Sequence, residues 1–223
     1  MISIIIPCYN EEERLSISLP KIIKYLKKSS YEIIVVDDGS KDNTREIANI
    51  HKCKITPPRK NRGKGYSVKE GVGLAQGDYI LVTDCDLSTP INYVGMFKTI
   101  GATYDMVIAS RAMKHSRVKT SMFRRILGRV SHLIMKPLIG NILDSQCGFK
   151  LFKAEVAKKL FGMSIIERWG FDVEIIYLAQ KLGYTICEYP VKWTNSPDSK
   201  VKLLDYPKTL LELIKIKVHN YEG

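Results

Sequence analysis

The sequence predicts an α/β fold with a doubly wound, mostly parallel central sheet. Short runs rich in Ile and Val recur along the first half of the chain, and amphipathic segments with helical spacing separate them. Polar clusters follow the first two of these runs. Alternation of buried strands with helices is typical of a parallel sheet covered on both faces, with the ligand site at the carboxyl ends of the strands.

Each predicted element has its own signature. The predicted strands are Ile2–Ile6, Tyr31–Val36, Tyr79–Val82 and Met106–Ala109, and the predicted helices are Glu11–Lys28, Asp42–His51 and Gly65–Ala75. The strands are short and almost continuously apolar, which is typical of strands buried on both faces. The first helix instead carries Leu15, Leu19 and Ile22 at spacings of three and four, which predicts one buried helix face.

The second half of the chain adds two basic amphipathic segments to ordinary α/β sequence. Ser121–Leu143 mixes arginines with bulky apolar residues, and we expect Pro137 and Gly140 to break it into two helices. Tyr206–Val218 has the same character, whereas residues 148–192 return to ordinary α/β sequence. One domain is therefore expected, with two amphipathic segments attached.

The amino-acid composition limits the classes of partner that the protein is expected to bind. The 223 residues suffice for one domain, and 35 basic against 23 acidic residues give a formal net charge of +12. Such an excess favours a nucleic acid, an anionic membrane surface or a phosphorylated substrate. A nucleic-acid-binding module is disfavoured because the sequence shows neither basic residues interleaved with aromatic ones nor a known binding motif, and because such a module leaves the paired acidic residues unexplained. We therefore expect no nucleic acid partner.

Cysteine and histidine patterns argue against several other chemistries. The five cysteines are scattered singly without a C-x-x-C pair, which favours a reducing compartment over a disulfide framework or a zinc knuckle. Neither H-E-x-x-H spacing nor a G-x-S-x-G elbow is present. No run of about 18 uncharged apolar residues occurs, so a spanning helix is not expected.

Asp84-Cys85-Asp86 is the most specific local feature. It follows the predicted strand Tyr79–Val82 directly, so both carboxylates lie at a strand end. Hard cations such as Mg²⁺ and Mn²⁺ commonly bind one or two carboxylates plus substrate phosphates. An isolated pair of this kind is more often a solvated turn, but the buried strand and the other acidic clusters favour a metal site at Asp84 and Asp86.

Two further loops belong to the same predicted edge. Asp37-Asp38-Gly39-Ser40 suits a turn and a helix N-cap, and one of its aspartates could accept hydrogen bonds from a nucleobase. The glycine-rich segment Arg59–Gly65 lacks the Walker pattern, yet Lys60, Arg62 and Lys64 could face phosphates.

Several motifs in order resemble one known family. The segments IIIPCYNEEERL, EIIVVDDGSKDNT, NRGKGYSVKEGV and GDYILVTDCDLSTP resemble the nucleotide-sugar transferases of glycosyltransferase family 2. In the second half, DSQCGFKLF, ERWGFDVE, VKWT and the Ser199-Lys200 pair resemble the dolichyl-phosphate β-glucosyltransferases. Dolichyl-phosphate mannose synthases are a looser match there. The resemblance covers nearly the whole chain.

The resemblance implies a GT-A fold, which is Rossmann-like, with amphipathic interfacial helices. It implies a nucleotide-diphosphate sugar as donor, held by residues 1–110, and a polyprenyl (dolichyl) phosphate as acceptor, held by residues 111–223 of the same domain. The implied donor-binding residues are Pro7, Tyr9, Glu11, Val36, Asp37, Asp38, Asp84, Cys85, Asp86, Ser88 and Lys200. Asp86, Arg111 and Arg124 are the implied catalytic residues, the arginines holding the acceptor phosphate. Mg²⁺ or Mn²⁺ would bind Asp84 and Asp86.

The chain departs from the family pattern in two ways. Cys85 replaces the alanine common between the two aspartates, but both residues are small. The membrane helices of eukaryotic glucosyltransferases and of some mannose synthases are not found in this sequence. We therefore expect peripheral attachment at the cytoplasmic face of a membrane, through segments 121–143 and 206–218 on anionic lipid or through a membrane partner protein. The oligomeric state is not indicated.

Alternatives for both substrates stay open at this stage. The resemblance of DSQCGFKLF and ERWGFDVE favours glucose, with UDP-glucose as the expected donor. N-acetylglucosamine (from UDP-N-acetylglucosamine), mannose (from GDP-mannose), galactose and glucuronate stay open as the transferred sugar. The product would serve a glycan or protein glycosylation pathway. A sugar or protein acceptor would call for a carboxylate base. A phosphate acceptor is already anionic near pH 7 and needs positioning instead, so a single displacement would invert the anomeric carbon.

Overall fold

A seven-stranded sheet runs through the centre of the protein. The structure, a computed structural model, describes residues 1–119, 122–194 and 205–221. The sheet strands are β1 (Ile2–Cys8), β2 (Tyr31–Asp37), β3 (Lys54–Ile55), β4 (Tyr79–Thr83), β5 (Met106–Ser110), β7 (Phe149–Lys153) and β8 (Ile186–Pro190). A separate ribbon pairs β6 (Arg117–Lys119) in parallel with β9 (Lys192–Thr194). The sheet order is β3-β2-β1-β4-β7-β5-β8.

Strand pairing is parallel except at β7. β1 pairs in parallel with β2 and β4, and β5 pairs in parallel with β8. β7 is inserted between β4 and β5 and runs antiparallel to both. The predicted mostly parallel α/β sheet is thus confirmed, and each of the four predicted strands extends one or two residues further at its carboxyl end.

Helices cover both faces of the sheet. They are α1 (Glu12–Leu26), α2 (Thr44–Ile50), α3 (Lys64–Leu74), α4 (Tyr93–Gly101), α5 (Met122–Ile139), α6 (Ala154–Met163), α7 (Phe171–Lys181) and α8 (Asp205–Val218). Ile34 and Val36 enter the core cluster that contains α3 and α7, whereas Ile33 and Val35 enter the cluster that contains α1. Alternate strand residues point to opposite faces, so a strand of continuous apolar sequence serves both cores.

The first amphipathic segment forms a single helix. Its predicted break at Pro137 is wrong, because α5 is continuous and includes Pro137 in its last turn. Met135 and Leu138 are buried in the core, and their packing holds this turn although proline has no amide hydrogen to donate. The helix ends before Gly140, whose φ of +58° suits a glycine at a helix end.

Helices α5 and α8 bury one side and expose apolar residues on the other. Leu213 and Ile216 of α8 lie in the core, whereas Leu211 and Ile214 are exposed, as is Leu133 of α5. Of the helices in the described part of the chain, none is long and apolar enough to cross a bilayer. These two helices therefore place apolar side chains at the protein surface.

Candidate active site at the carboxyl edge of the sheet

Loops from parallel strands meet at one edge of the sheet and form the candidate site. Cys8, at the end of β1, lies opposite Asp37, at the end of β2. The loops after β1 and β4 each contain a non-glycine residue with positive φ, Asn10 at 50° and Leu87 at 49°. Such conformations are uncommon and cluster at functional sites, where surrounding contacts hold them.

Lys64 links the first aspartate of the D-x-D motif to helix α3. Its ammonium lies 2.6 Å from Oδ1 of Asp84 and 6.0 Å from the ring centres of both Trp169 and Phe171. Burial acts to lower the pKa of Lys64, but attraction by Asp84 and Asp172 outweighs it and holds this pKa above its ordinary value. Lys64 is therefore a charged counter-ion at the motif.

Gly148, the residue before β7, lies against the carboxylate of Asp84. A Cβ at Gly148 would be only 1.9 Å from Oδ2 of Asp84, so glycine leaves the room that this carboxylate needs. Antiparallel pairing of β7 with β4 brings the two residues together. The segment DSQCGF therefore belongs to the D-x-D site through its glycine.

Asp86 is the second carboxylate of the motif. Its Oδ1 accepts a 2.9 Å hydrogen bond from the backbone N–H of Ser88. Burial and then repulsion by Asp84 raise the pKa of Asp86 above its ordinary value, against the bonds from Ser88 and the attraction of Arg14. A bound divalent cation would favour the ionised form of both carboxylates.

The donor atoms suit a hard divalent cation that shares its ligands with a substrate. Within residues 1–119, 122–194 and 205–221, no group of three or more His, Cys, Asp or Glu side chains could hold a metal ion. Asp84 and Asp86 offer carboxylate oxygens, the donors that Mg²⁺ and Mn²⁺ prefer. With only two such side chains, phosphates and waters would have to complete the coordination.

Cys85 lies between these carboxylates, but its side chain belongs to the core. It is buried in the cluster that contains α1. A hydrogen bond with Cys8, together with burial, raises the pKa of the Cys85 thiol well above its ordinary value. The thiol therefore stays protonated, and its predicted place beside the metal and diphosphate can only involve the backbone.

The aspartates of the loop after β2 hold neighbouring protein groups. Asp38 accepts hydrogen bonds from the backbone N–H groups of Arg62 and Gly63, at 2.9 and 2.7 Å. Asp37 is buried and lies 3.1 Å from the guanidinium of Arg45. Asp38 therefore fixes the start of α3, and the base-binding role of the two aspartates stays a prediction.

The remaining predicted donor contacts differ in exposure. Tyr9 is exposed and Pro7 half-buried, while Glu11 is buried and lies 3.1 Å from Arg14. Val36 is fully buried and its side chain faces the core cluster with α3. A contact between Val36 and a nucleotide would therefore have to come from its backbone.

Arg111, directly after β5, forms a bidentate pair with Asp144. Its Nε and Nη2 donate to the two carboxylate oxygens at 2.7 and 2.8 Å. Burial acts to raise the pKa of Asp144, but the charge of Arg111 outweighs it and holds this pKa below its ordinary value. The guanidinium carbon also lies 5.3 Å from the ring centre of Trp193. The cation is thus fixed in place by an ionised partner.

The side chains of two predicted site residues lie outside the part of the chain that the structure describes. Lys200 lies in the segment 195–204, which is not among the described residues. Arg124 belongs to α5, but its side chain is likewise outside them. Their predicted roles in binding the donor diphosphate and the acceptor phosphate stay predictions.

Sequence reasoning missed two residues of the site. Gly148 and Asp144 both lie in a segment that stood out only through the family resemblance, and composition or spacing gives no signal for either. Lys64 was one of three basic residues expected near phosphates. Of the others, Arg62 instead pairs with Glu167 on a neighbouring loop.

Comparison with known proteins now identifies the family. Residues 3–161 match the model of glycosyl transferase family 2. The chain belongs to this family. This family-2 glycosyltransferase is 39% identical, over 90% of its own length and 68% of the relative's, to the dolichyl-phosphate β-glucosyltransferase of Dictyostelium discoideum. Identity to the enzyme of that name from Homo sapiens is 37%, over 90% of this chain and 69% of the human one.

Solved structures show the same fold. Glucosyl-3-phosphoglycerate synthase from Mycobacterium tuberculosis, in complex with Mn²⁺, UDP and glucosyl-3-phosphoglycerate, superposes with a TM-score of 0.72 at 19% identity. The match covers 98% of this chain and 78% of the synthase. The same synthase with Mn²⁺ and UDP-glucose gives a TM-score of 0.70, again at 19% identity, over 98% of this chain and 78% of that one. The predicted GT-A fold is thereby confirmed.

Proposed function

We propose that this glycosyltransferase moves glucose from a nucleotide-diphosphate glucose, with UDP-glucose as the first candidate, to a polyprenyl phosphate such as dolichyl phosphate. The observation that carries the proposal is similarity to dolichyl-phosphate β-glucosyltransferases over 90% of the chain at 37% and 39% identity. The segment that resembles those enzymes in the second half includes Gly148, which lies against Asp84.

The donor would bind where the loops of the first half converge. A divalent cation at Asp84 and Asp86 would neutralise the charge of the departing nucleotide diphosphate. The N-terminus of α3 begins at Lys64 in the same place, and both its backbone dipole and the ammonium favour phosphate groups. These residues therefore orient the leaving group and stabilise its negative charge.

The acceptor phosphate needs positioning more than activation, since it is anionic near pH 7. Its oxygen attacks the anomeric carbon, a C–O bond forms there, and the bond to the diphosphate breaks, which inverts the configuration. Arg111 would hold this phosphate with N–H donors beyond the two that bind Asp144. Asp144 is a positioning residue and a poor base, because its pKa is lowered and both its oxygens accept from Arg111.

A lipid acceptor places the reaction at a membrane surface, and we infer that α5 and α8 lie on its cytoplasmic side. Leu133 and Leu211 are each 67% exposed, and Lys208, Lys215 and Lys217 of α8 are exposed beside the apolar residues. Each basic side chain near anionic lipid contributes about 1 kcal/mol, screened by salt. A membrane partner protein is the alternative route.

A panel of labelled donors tests the donor assignment. The protein is mixed with Mn²⁺, dolichyl phosphate in detergent and one sugar nucleotide at a time, and label is counted in the organic extract. UDP-glucose is expected to give the largest transfer. A larger transfer from GDP-mannose or UDP-N-acetylglucosamine would show that glucose is not the preferred sugar, while the assignment of a lipid acceptor would still hold.

A further inference from the structure

The ammonium of Lys64 lies 2.6 Å from Oδ1 of Asp84, the first aspartate of the D-x-D motif. We propose that Lys64 is a counter-ion that leaves Asp84 for the donor diphosphate when the donor and a divalent cation bind together. It thereby opposes binding of the cation alone and favours binding of the pair. This inference rests on the proposed nucleotide-diphosphate donor.

The backbone that carries Lys64 is fixed. Asp38 accepts from the N–H of Gly63, and a Cβ on Gly63 would lie 2.6 Å from the carbonyl oxygen of Glu167. A Cβ on Gly65 would meet the carbonyl oxygen of Ile166 at the same distance. Loop and helix therefore pack without space between them, and a change of partner at Lys64 must come from its side chain.

The ammonium of Lys64 is able to change its partner. The Asp84 carboxylate lies against Gly148, which blocks its movement toward β7. Lys64 ends in a point charge on a flexible four-carbon stem, and the rings of Trp169 and Phe171, 6.0 Å away, leave this charge attracted but not bonded. The side chains of Lys64 and Asp84 are 19% and 37% exposed, so a ligand can reach the ion pair.

The balance of charges favours movement of the Lys64 ammonium from Asp84 to the diphosphate. In the ion pair, Lys64 neutralises Asp84 and competes with any cation for that carboxylate. A diphosphate brings at least two negative charges and offers the ammonium a new partner, which frees Asp84 for the cation. Loss of the Lys64 charge should therefore have opposite effects on the two ligands: the cation alone binds more tightly, and the nucleotide binds more weakly.

Mn²⁺ and UDP are suitable probes because neither binding assay requires turnover. Free Mn²⁺ is titrated by electron paramagnetic resonance without nucleotide, and UDP is titrated calorimetrically in saturating Mn²⁺. Lys64→Met should bind Mn²⁺ roughly threefold more tightly and UDP about tenfold more weakly. Lys98→Met is the matched control, since Lys98 is exposed near Asp78 at the opposite edge of the sheet, and both affinities should stay within about twofold of wild type.

The outcomes separate the inference from the proposed function. If Lys64→Met binds both Mn²⁺ and UDP more weakly, or binds both as the wild type does, the counter-ion exchange is wrong. Mn²⁺-dependent binding of UDP by the wild type would still support the proposed donor in that case. Wild-type protein that binds no UDP in Mn²⁺ would overturn both UDP-glucose as the donor and the exchange at Lys64. If Lys64→Met does not fold, Lys64→Gln keeps a donor for Asp84 without the charge and should show the same two opposite changes.

Discussion

The carboxylate of Asp84 lies in a space that exists only because residue 148 is glycine. A Cβ on Gly148 would approach Oδ2 of Asp84 to 1.9 Å, well inside any normal contact. The contact joins the strand inserted at β7 to the loop after β4. The position of Asp84 in the D-x-D motif therefore depends on a residue far away in the sequence.

Gly148→Ala should displace Asp84 and weaken Mn²⁺-dependent UDP binding by about tenfold or more, since one charged ligand is lost from the site. Isothermal titration of UDP in Mn²⁺ measures the change. Gly73→Ala is the control, because no atom lies within 4 Å of a Cβ there and α3 gains an alanine. That variant should gain about 0.5–1 kcal/mol of stability and keep its UDP affinity. Unchanged UDP binding in Gly148→Ala would show that Asp84 is not needed in this position.

Arg111→Lys keeps the positive charge but cannot form the bidentate pair with Asp144. The apparent KM for dolichyl phosphate should rise about tenfold, while the KM for UDP-glucose should change less than about twofold. Initial rates with each substrate varied in turn separate the two constants. Equal changes in both would indicate a general loss of structure rather than a role at the acceptor.

Glu212 is expected to make the free energy of unfolding depend on pH. On α8 it accepts a 2.8 Å hydrogen bond from the N–H of Gly170. Burial raises the pKa of Glu212 above its ordinary value, against the Gly170 bond and the charge of Arg168. A raised folded-state pKa means that the contribution of Glu212 is largest below the ordinary glutamate pKa and is lost as pH rises through the raised one.

Glu212→Gln keeps an acceptor for Gly170 but cannot ionise. Its Tm relative to wild type should therefore increase as pH rises from below the ordinary glutamate pKa through the raised pKa of Glu212, and then level off. Thermal melts across this range measure the difference. Glu155→Gln, at an exposed position, should show no comparable trend. A constant difference between Glu212→Gln and wild type would mean that Glu212 has no raised pKa.

Attachment to lipid is predicted to depend on the exposed apolar residues of α5 and α8. The wild type should co-sediment with anionic vesicles at low salt and be released in part at high salt. Replacement of Leu133, Ile134, Leu211 and Ile214 by serine should abolish most of this binding without loss of UDP affinity. Ile50→Ser/Met96→Ser is the control, since both residues are exposed on other helices. Wild-type protein that stays in the supernatant would favour a membrane partner protein instead.

Features of the fold that depend on local sequence pattern could be predicted from the sequence. Continuous apolar runs identified four strands of the sheet, because strands buried on both faces need apolar residues at every position. The Asp84–Asp86 motif could be placed at the sheet edge for the same reason. The same pattern predicts a buried side chain at Val36, as observed, whereas its place in the donor site was implied only by the family resemblance.

The features that could not be predicted from the sequence depend on contacts between segments that are distant along the chain. β7 is inserted between two parallel strands by pairing with both, and nothing in FKLFK itself specifies an antiparallel partner. The Arg111–Asp144 pair and the Gly148–Asp84 contact follow from that insertion. Pro137 was misjudged because helix propensity does not include the core packing of the turn around it.

Asp86→Asn is the variant that should inactivate the enzyme with the least change in shape. It removes one negative charge from the D-x-D motif and keeps the volume of the side chain, so the fold should be retained. Turnover should fall about 100-fold or more, since stabilisation of the leaving group is lost. Near-wild-type turnover in Mg²⁺ or Mn²⁺ would exclude a metal role for Asp86.

The most direct test of the account is transfer of glucose to lipid. Wild-type protein is incubated with labelled UDP-glucose and Mn²⁺, with dolichyl phosphate, free glucose or 3-phosphoglycerate as the acceptor, and Asp86→Asn is run in parallel. The account predicts a labelled, β-linked dolichyl phosphate glucose from the wild type, little from the variant, and no product with the two soluble acceptors. Faster transfer to a soluble acceptor than to dolichyl phosphate would contradict it.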